Sequence, residues 1–81
     1  MLSEIALCHK VAGIKQSGRA LREGRVRKVF LACDADPMVL SNIEALCAEG
    51  NIPVEKDATM RALGLSAGIA VGASVIALLN D

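Results

Sequence analysis

Several groups of residues in this 81-residue chain are of types that do chemistry, and their spacing decides which chemistry is open to them. Cys8-His9 sets a thiol beside the chain's one imidazole. A nucleophile and its base must face each other and be oriented by a third group, whereas neighbours on a helix point about 100° apart, and no orienting group is evident. Gly13-Ile-Lys-Gln-Ser-Gly18 carries the two glycines of a nucleotide-binding loop, but Arg19-Ala20 stands where a lysine and a hydroxyl residue must hold phosphates and Mg²⁺. Asp34 and Asp36 suit a Mg²⁺ pair or an acid/base couple at the carboxyl end of a strand, where open α/β sheets bind ligands. The simpler reading is that Asp36-Pro37 opens a helix, the aspartate capping it and the proline lying in its first turn. Cys8, His9, Cys33 and Cys47 lack the paired spacing of a zinc site, and the three cysteines are expected to be buried and apolar. The sequence thus implies no catalytic residues, no metal and no cofactor.

A different chemistry is offered between Gly13 and Arg22. On a helix starting near Gln16, Lys15, Arg19 and Arg22 recur at i, i+4 and i+7 along one face, while Ile14, Gly18 and Leu21 line a neighbouring face. Gln16 both donates and accepts, and it sits in the first turn, where free backbone N–H groups also point outward. Cations beside an amide grip phosphates and read base edges together, although a merely solvated basic face shows the same spacing. The charge distribution points the same way. Residues 1–28 hold seven of the nine Lys and Arg but two of the nine acids, so a net charge of zero hides a dipolar chain.

These residues need elements to position them, and composition bounds what those elements are. Eighty-one residues at 53% apolar make one small domain, spanning 1–81, with an aliphatic core. Phe30 is the single aromatic residue, which excludes nucleic-acid binding that relies on aromatic stacking platforms. An odd cysteine count and a start without a basic, apolar leader suggest a reducing, cytoplasmic setting. The apolar spacing predicts a helix from Ser3 to near Gly13, a second over 16–23 ending at Gly24, and a central parallel strand over 28–33. A third helix follows Pro37 and stops at Gly50-Asn51, Ile52–Glu55 is a short strand, Thr59 caps a helix over 60–65, and Val75–Leu79 is the last strand. The expected fold is α/β, a three-layer α/β/α sandwich with a small mixed sheet.

Residues 62–79 are uncharged and long enough to span a membrane, and Gly64, Gly68 and Gly72 have the spacing of close helix pairs in lipid. The strongly apolar positions nevertheless crowd into the last five residues of that run. A glycine-rich connection from helix to closing strand is therefore preferred over a tail anchor, and no membrane partner is expected.

Four stretches carry a resemblance to a known family: Gly13-Ile-Lys-Gln-Ser-Gly-Arg19, Val29-Phe-Leu-Ala-Cys-Asp-Ala-Asp-Pro37, Asn51-Ile-Pro-Val54 and Leu63-Gly-Leu-Ser-Ala-Gly-Ile-Ala-Val-Gly-Ala-Ser74. Together, in this order and separation, they resemble the kink-turn RNA-binding ribosomal protein family, of "L seven Ae" and "L thirty e" type, and its short bacterial members above all. The resemblance implies a non-enzymatic protein that binds a sharply bent RNA duplex with tandem sheared G·A pairs beside a bulge. Its contacts map onto Gly13 through Arg19 and onto the loop from Asp57 to Arg61. On that basis the RNA-binding residues are Gly13, Ile14, Lys15, Gln16, Arg19, Arg22, Thr59, Met60 and Arg61. Lys15 and Gln16 would address guanine edges, the backbone at Gly13 and Ile14 would approach the RNA, Arg19, Arg22 and Arg61 would neutralise phosphates, and Met60 with Thr59 would pack on an extruded nucleotide. Ile14, Gly18 and Asp57 depart from the family pattern. The basic segment should then form one RNA-facing edge of a monomer whose partner is structured RNA, ribosomal RNA included, and not DNA. A protein-interaction module on the same scaffold is the alternative.

Overall fold

Strand β4 (Val75–Leu79) organises the molecule, because all five of its residues are buried and it pairs on both sides. The computed structural model describes residues 3–80; Met1 and Leu2, part of the start that was read as lacking a leader, and Asp81 lie outside the described residues. Eight elements follow one another: α1 (Ser3–Leu7), β1 (Lys10–Ala12), α2 (Ile14–Arg22), β2 (Val26–Leu31), α3 (Pro37–Glu49), β3 (Val54–Glu55), α4 (Met60–Ser66) and β4. The sheet runs in the order β1-β4-β2-β3, with β4 antiparallel to both β1 and β2, and with β2 parallel to β3.

Alternation along the central strands divides the core into two layers. Val29 and Leu31 of β2 and Val75, Ala77 and Leu79 of β4 face α2 and α3, where Ala20, Leu40, Ile43 and Cys47 meet them. Phe30, Ile76 and Leu78 face the other way and pack with Ile5 of α1 and Leu63 of α4. Helices on both faces of a mixed sheet give the expected α/β/α sandwich.

Three sequence expectations need correction. The first helix does not reach Gly13: it ends at Leu7, and Lys10–Ala12 is an edge strand in register with Leu78, Ala77 and Ile76. Val11 and Ala12 fit a helical spacing, but Val11 packs on one core layer and Ala12 on the other, the period of a strand. Strand β2 begins at Val26, two residues before the expected Lys28, and ends at Leu31. It is central but mixed, parallel only to β3. The other boundaries agree to within a few residues, and two of the caps expected at Ser3, Asp36 and Thr59 are present, those of Asp36 and Thr59. Asp36 accepts the Met38 N–H at 2.9 Å, and Thr59 Oγ1 accepts the Ala62 N–H at 3.1 Å.

The glycine-rich run has a local explanation. A Cβ on Gly64 would lie 2.2 Å from the Val71 carbonyl oxygen, so α4 and the connection to β4 lie against each other backbone to backbone. No helix among the described residues is long and apolar enough to cross a membrane.

Topology then positions the site. Strands β1, β2 and β3 all run antiparallel to β4, directly or through a neighbour, so their carboxyl ends and the start of β4 share one end of the sheet. Helix α2 leaves that end after β1, α3 after β2 and α4 after β3. Segments far apart in the chain converge there.

Candidate nucleic-acid interface

Gly13 is the N-cap of α2, and its backbone (φ 102°, ψ 152°) lies in a region essentially reserved for glycine. That conformation turns the chain from β1 into α2 while the Gly13 N–H donates to the Val75 carbonyl at 3.0 Å. Ile14 is half-buried beside the core, whereas Lys15 and Gln16 are exposed in the first turn, where no side chain caps the free N–H groups. Ser17, Gly18 and Ala20 are buried, so the inward face of α2 is narrow and small. A Cβ on Gly18 would touch Ile43 of α3 at 3.6 Å, ordinary contact, so glycine there is not required by crowding.

Arg19 is largely exposed, its side chain at 79%, and its Nε donates to Glu23 at 3.4 Å. Glu23 also accepts from Arg25 at 3.0 Å. Arg25 first, and Arg19 second, hold the Glu23 carboxyl below its ordinary range. The exposed Arg22 guanidinium lies back over Gly18. Since α2 rises about 1.5 Å per residue, Arg22 stands roughly 10 Å farther along the axis than Lys15. The cations form a row down the helix flank.

The second segment starts α4. Thr59 is exposed and caps the helix, Met60 is half-buried and Arg61 is exposed. The Met60 N–H donates to Asp34 Oδ1 at 2.8 Å, a bond that reaches from the loop after β2. Asp34 is thus tied to α4, whereas Asp36 accepts the Met38 N–H at the start of α3.

Residues 73–75, before and within β4, bond both segments to one stretch of chain, which Ser74 ties to the end of β2. Ala73 donates to the Met60 carbonyl at 3.0 Å, Ala32 donates to the Ser74 carbonyl at 2.9 Å, and the Val75 carbonyl accepts from Gly13. Lys15, Gln16 and Arg19 therefore share a rigid frame with Thr59, Met60 and Arg61. Between α4 and its return loop lies a cleft of about 460 Å³, lined by Asp34, Met60, Arg61, Leu65 and residues 69–72. Leu65 and Val71 are 68% and 72% exposed, an apolar surface beside a cation. Sequence reasoning missed Leu65 and Val71, because an uncharged run reads as core until exposure is known; no local signal separates the two.

The basic segment divides instead of forming one edge. Lys28 Nζ sits 5.1 Å above the Phe30 ring and bonds Glu4 at 2.7 Å and also Glu55, on the α1/α4 face of the sheet. Lys28 is the largest cause that holds Glu4 at about 2 instead of 4.5 and keeps Glu55 low as well, while the two carboxylates, Glu4 first, raise the Lys28 ammonium. Arg27 donates to Cys8 Sγ at 2.7 Å. Arg27 and Lys28 are committed to this layer. The cysteines are free and differ from one another: Cys47 is buried, with burial pushing its thiol up, Cys8 is half-buried, and Cys33 is exposed, against expectation. Among the described residues, no three His, Cys, Asp or Glu side chains converge as a metal site.

Residues 9–81 match the pattern of the ribosomal protein L7Ae/L30e/S12e/Gadd45 family. The chain belongs to this family. The "L seven Ae" resemblance of the four sequence stretches is thereby established across nine-tenths of the chain. Among its relatives, the RNA-binding protein YbxF of Geobacillus stearothermophilus is 42% identical over 70 residues, covering 86% of this chain and 85% of the other. The RNA-binding protein BH0128 of Halalkalibacterium halodurans is 40% identical over 68 residues, covering 84% and 83%. In three dimensions the family member superposes on a Giardia lamblia 15.5kD RNA binding protein with a TM-score of 0.85 at 19% identity, covering 99% of this chain and 68% of that one. A Bacillus halodurans protein of unknown function gives 0.86 at 26% identity, covering 95% and 81%. These likenesses place the fold.

Proposed function

We propose that this protein binds structured RNA at a kink-turn and performs no catalysis. One observation carries the proposal: the start of α2, bearing Lys15, Gln16 and Arg19, and the start of α4, bearing Thr59, Met60 and Arg61, are bonded to the same stretch of chain at one end of the sheet. Exposed cations of α2 lie at that end, and so does a cleft in which exposed Leu65 and Val71 sit beside Asp34 and Arg61. A sharply bent duplex needs both surfaces. Its phosphates crowd together and call for neutralisation, and its extruded nucleotide calls for an apolar seat.

The roles follow from chemistry. Gln16 and Lys15 read guanine edges opened by the sheared pairs, and the Gly13–Ile14 backbone comes close to the RNA because Gly13 has no side chain to hold it off. Arg19, Arg22 and Arg61 meet phosphates. Met60 and Thr59, joined by Val71 and Leu65, seat the extruded nucleotide. The names of the bacterial relatives support RNA binding as the shared activity. A cytoplasmic monomer acting on ribosomal or other structured RNA, in preference to DNA, fits this surface.

The test is a titration of a kink-turn RNA and of a plain duplex lacking the G·A pairs, at two salt concentrations. True recognition favours the kink-turn strongly and weakens by roughly 0.7–0.9 log units per log salt for each phosphate neutralised. Gln16→Ala should lose about 1–3 kcal/mol for the kink-turn and little for the duplex, whereas Arg19→Ala should weaken both and flatten the salt slope. Equal binding to both RNAs, or binding to neither, refutes the proposal.

A further inference from the structure

The RNA reading leaves one charged residue at the cleft without a role. Asp34 is exposed, follows β2, and lines the cleft together with Met60, Arg61 and Val71. A carboxylate there opposes the approach of phosphates, so electrostatics alone would favour any neutral side chain. Its geometry supplies the reason for its presence. Asp34 Oδ1 accepts the N–H of Met60, the first residue of α4, at 2.8 Å, and Thr59 Oγ1 accepts from Ala62 at 3.1 Å. Between them the two side chains satisfy two of the N–H groups that a helix start leaves free. The neighbouring ties are main-chain bonds, Cys33 N–H to Ala58 and Ala73 N–H to Met60. Asp34 is, among the described residues, the side chain that bonds the start of α4 to another element.

We propose that Asp34 is a positioning residue for the RNA-facing surface: its carboxylate oxygen holds the Thr59–Arg61 segment in place, and its charge weakens RNA affinity while the oxygen improves selectivity. The inference rests on the kink-turn reading above. Asp34→Asn keeps an acceptor oxygen and removes the charge, whereas Asp34→Ala removes both. Two measurements separate the possibilities.

The first is amide hydrogen exchange in the free protein. In Asp34→Ala the Met60 N–H should exchange about tenfold faster, the loss expected for a charge-assisted bond, while Asp34→Asn stays within roughly threefold of wild type. The Ala62 N–H, held by Thr59, is the internal control. The second is the ratio of kink-turn to plain-duplex affinity. It should fall by about tenfold in Asp34→Ala and stay within about twofold in Asp34→Asn, with the asparagine variant binding both RNAs more tightly at low salt. Unchanged Met60 exchange in Asp34→Ala would overturn the proposal. So would faster exchange with selectivity intact, which makes the bond merely structural, or equal loss of selectivity in both variants, which makes the charge itself the thing read. If wild-type protein does not distinguish the two RNAs, the kink-turn reading falls, while the exchange measurement still decides whether Asp34 holds α4.

Discussion

Replacing Gly64 by alanine sets two physical effects of opposite sign against each other. In the interior of a helix, alanine is preferred over glycine by about 0.5–1 kcal/mol, because glycine loses more backbone freedom on folding. In α4, however, the new methyl would land 2.2 Å from the Val71 carbonyl oxygen and 3.1 Å from the Gly72 Cα. Carbon and oxygen come no closer than about 3.3 Å even in favourable contacts, so the return loop must retreat by about 1 Å. Both obstacles are backbone and cannot rotate aside. Overpacking of this kind costs about 1–3 kcal/mol, which leaves a net destabilisation of about 1–2 kcal/mol after the gain in propensity. In a domain of this size that lowers Tm by roughly 5–15 °C. Gly18→Ala is the matched control. Its Cβ meets Ile43 and Arg22 at 3.6 Å, an ordinary contact, so propensity wins and stability rises by about 0.5–1 kcal/mol. Thermal and urea denaturation of the two variants, followed by far-UV circular dichroism, should move in opposite directions. A Gly64→Ala protein as stable as wild type, or a shift of the same sign in both variants, refutes the close approach of α4 and its return loop. Because Val71 and Gly72 line the cleft, Gly64→Ala should also weaken kink-turn binding more than duplex binding.

Further predictions concern the frame of the site. Gly13→Ala forces a side chain onto φ 102° and ψ 152° and should cost about 1–3 kcal/mol in urea denaturation; a smaller loss means the turn relaxes. Thr59→Ala removes the α4 cap and should cost about 1 kcal/mol, with Ala62 amide exchange accelerated; unchanged exchange contradicts the cap. Lys28 is the largest of the causes that hold the Glu4 carboxyl at about 2 instead of 4.5, so the stability this carboxylate's pairing contributes is present above pH 4.5 and is lost as pH falls toward 2. Glu23 and Glu55, also depressed, act in the same direction. Glu4→Gln should therefore flatten the fall of the urea midpoint between about pH 5 and 2.5, and an unaltered slope would show that the Glu4–Lys28 pair does not contribute to acid sensitivity.

Much of the fold was legible because its signals are local. Asp36-Pro37 and Thr59 start helices through bonds to their own neighbours, and Val75–Leu79 is apolar on both faces as a buried central strand must be. Strand β1 was not legible. Three residues have little period of their own, and their state is set by Leu78, Ala77 and Ile76, more than sixty positions away. The site divides in the same way. Lys15, Gln16 and Arg19 stand out from spacing within one helix, whereas Asp34, Leu65 and Val71 matter through a bond or an exposure created by distant segments.

Charge makes the distinction plainest. Composition alone determined that the first 28 residues are basic, that one aromatic residue rules out a stacking platform, and that the glycines of residues 64–72 mark something other than a filled apolar span. Only the tertiary structure decided which cations remain available. Arg27 and Lys28 are nearer in sequence to Arg22 than Arg61 is, yet pleating turns Lys28 onto the α1/α4 face, against Glu4 and Glu55, while Arg61 arrives at the α2 end of the sheet. The physical reason is that helix periodicity, caps and composition act over a few residues, whereas exposure and ion pairing depend on strand register, which is settled only when the whole chain has packed.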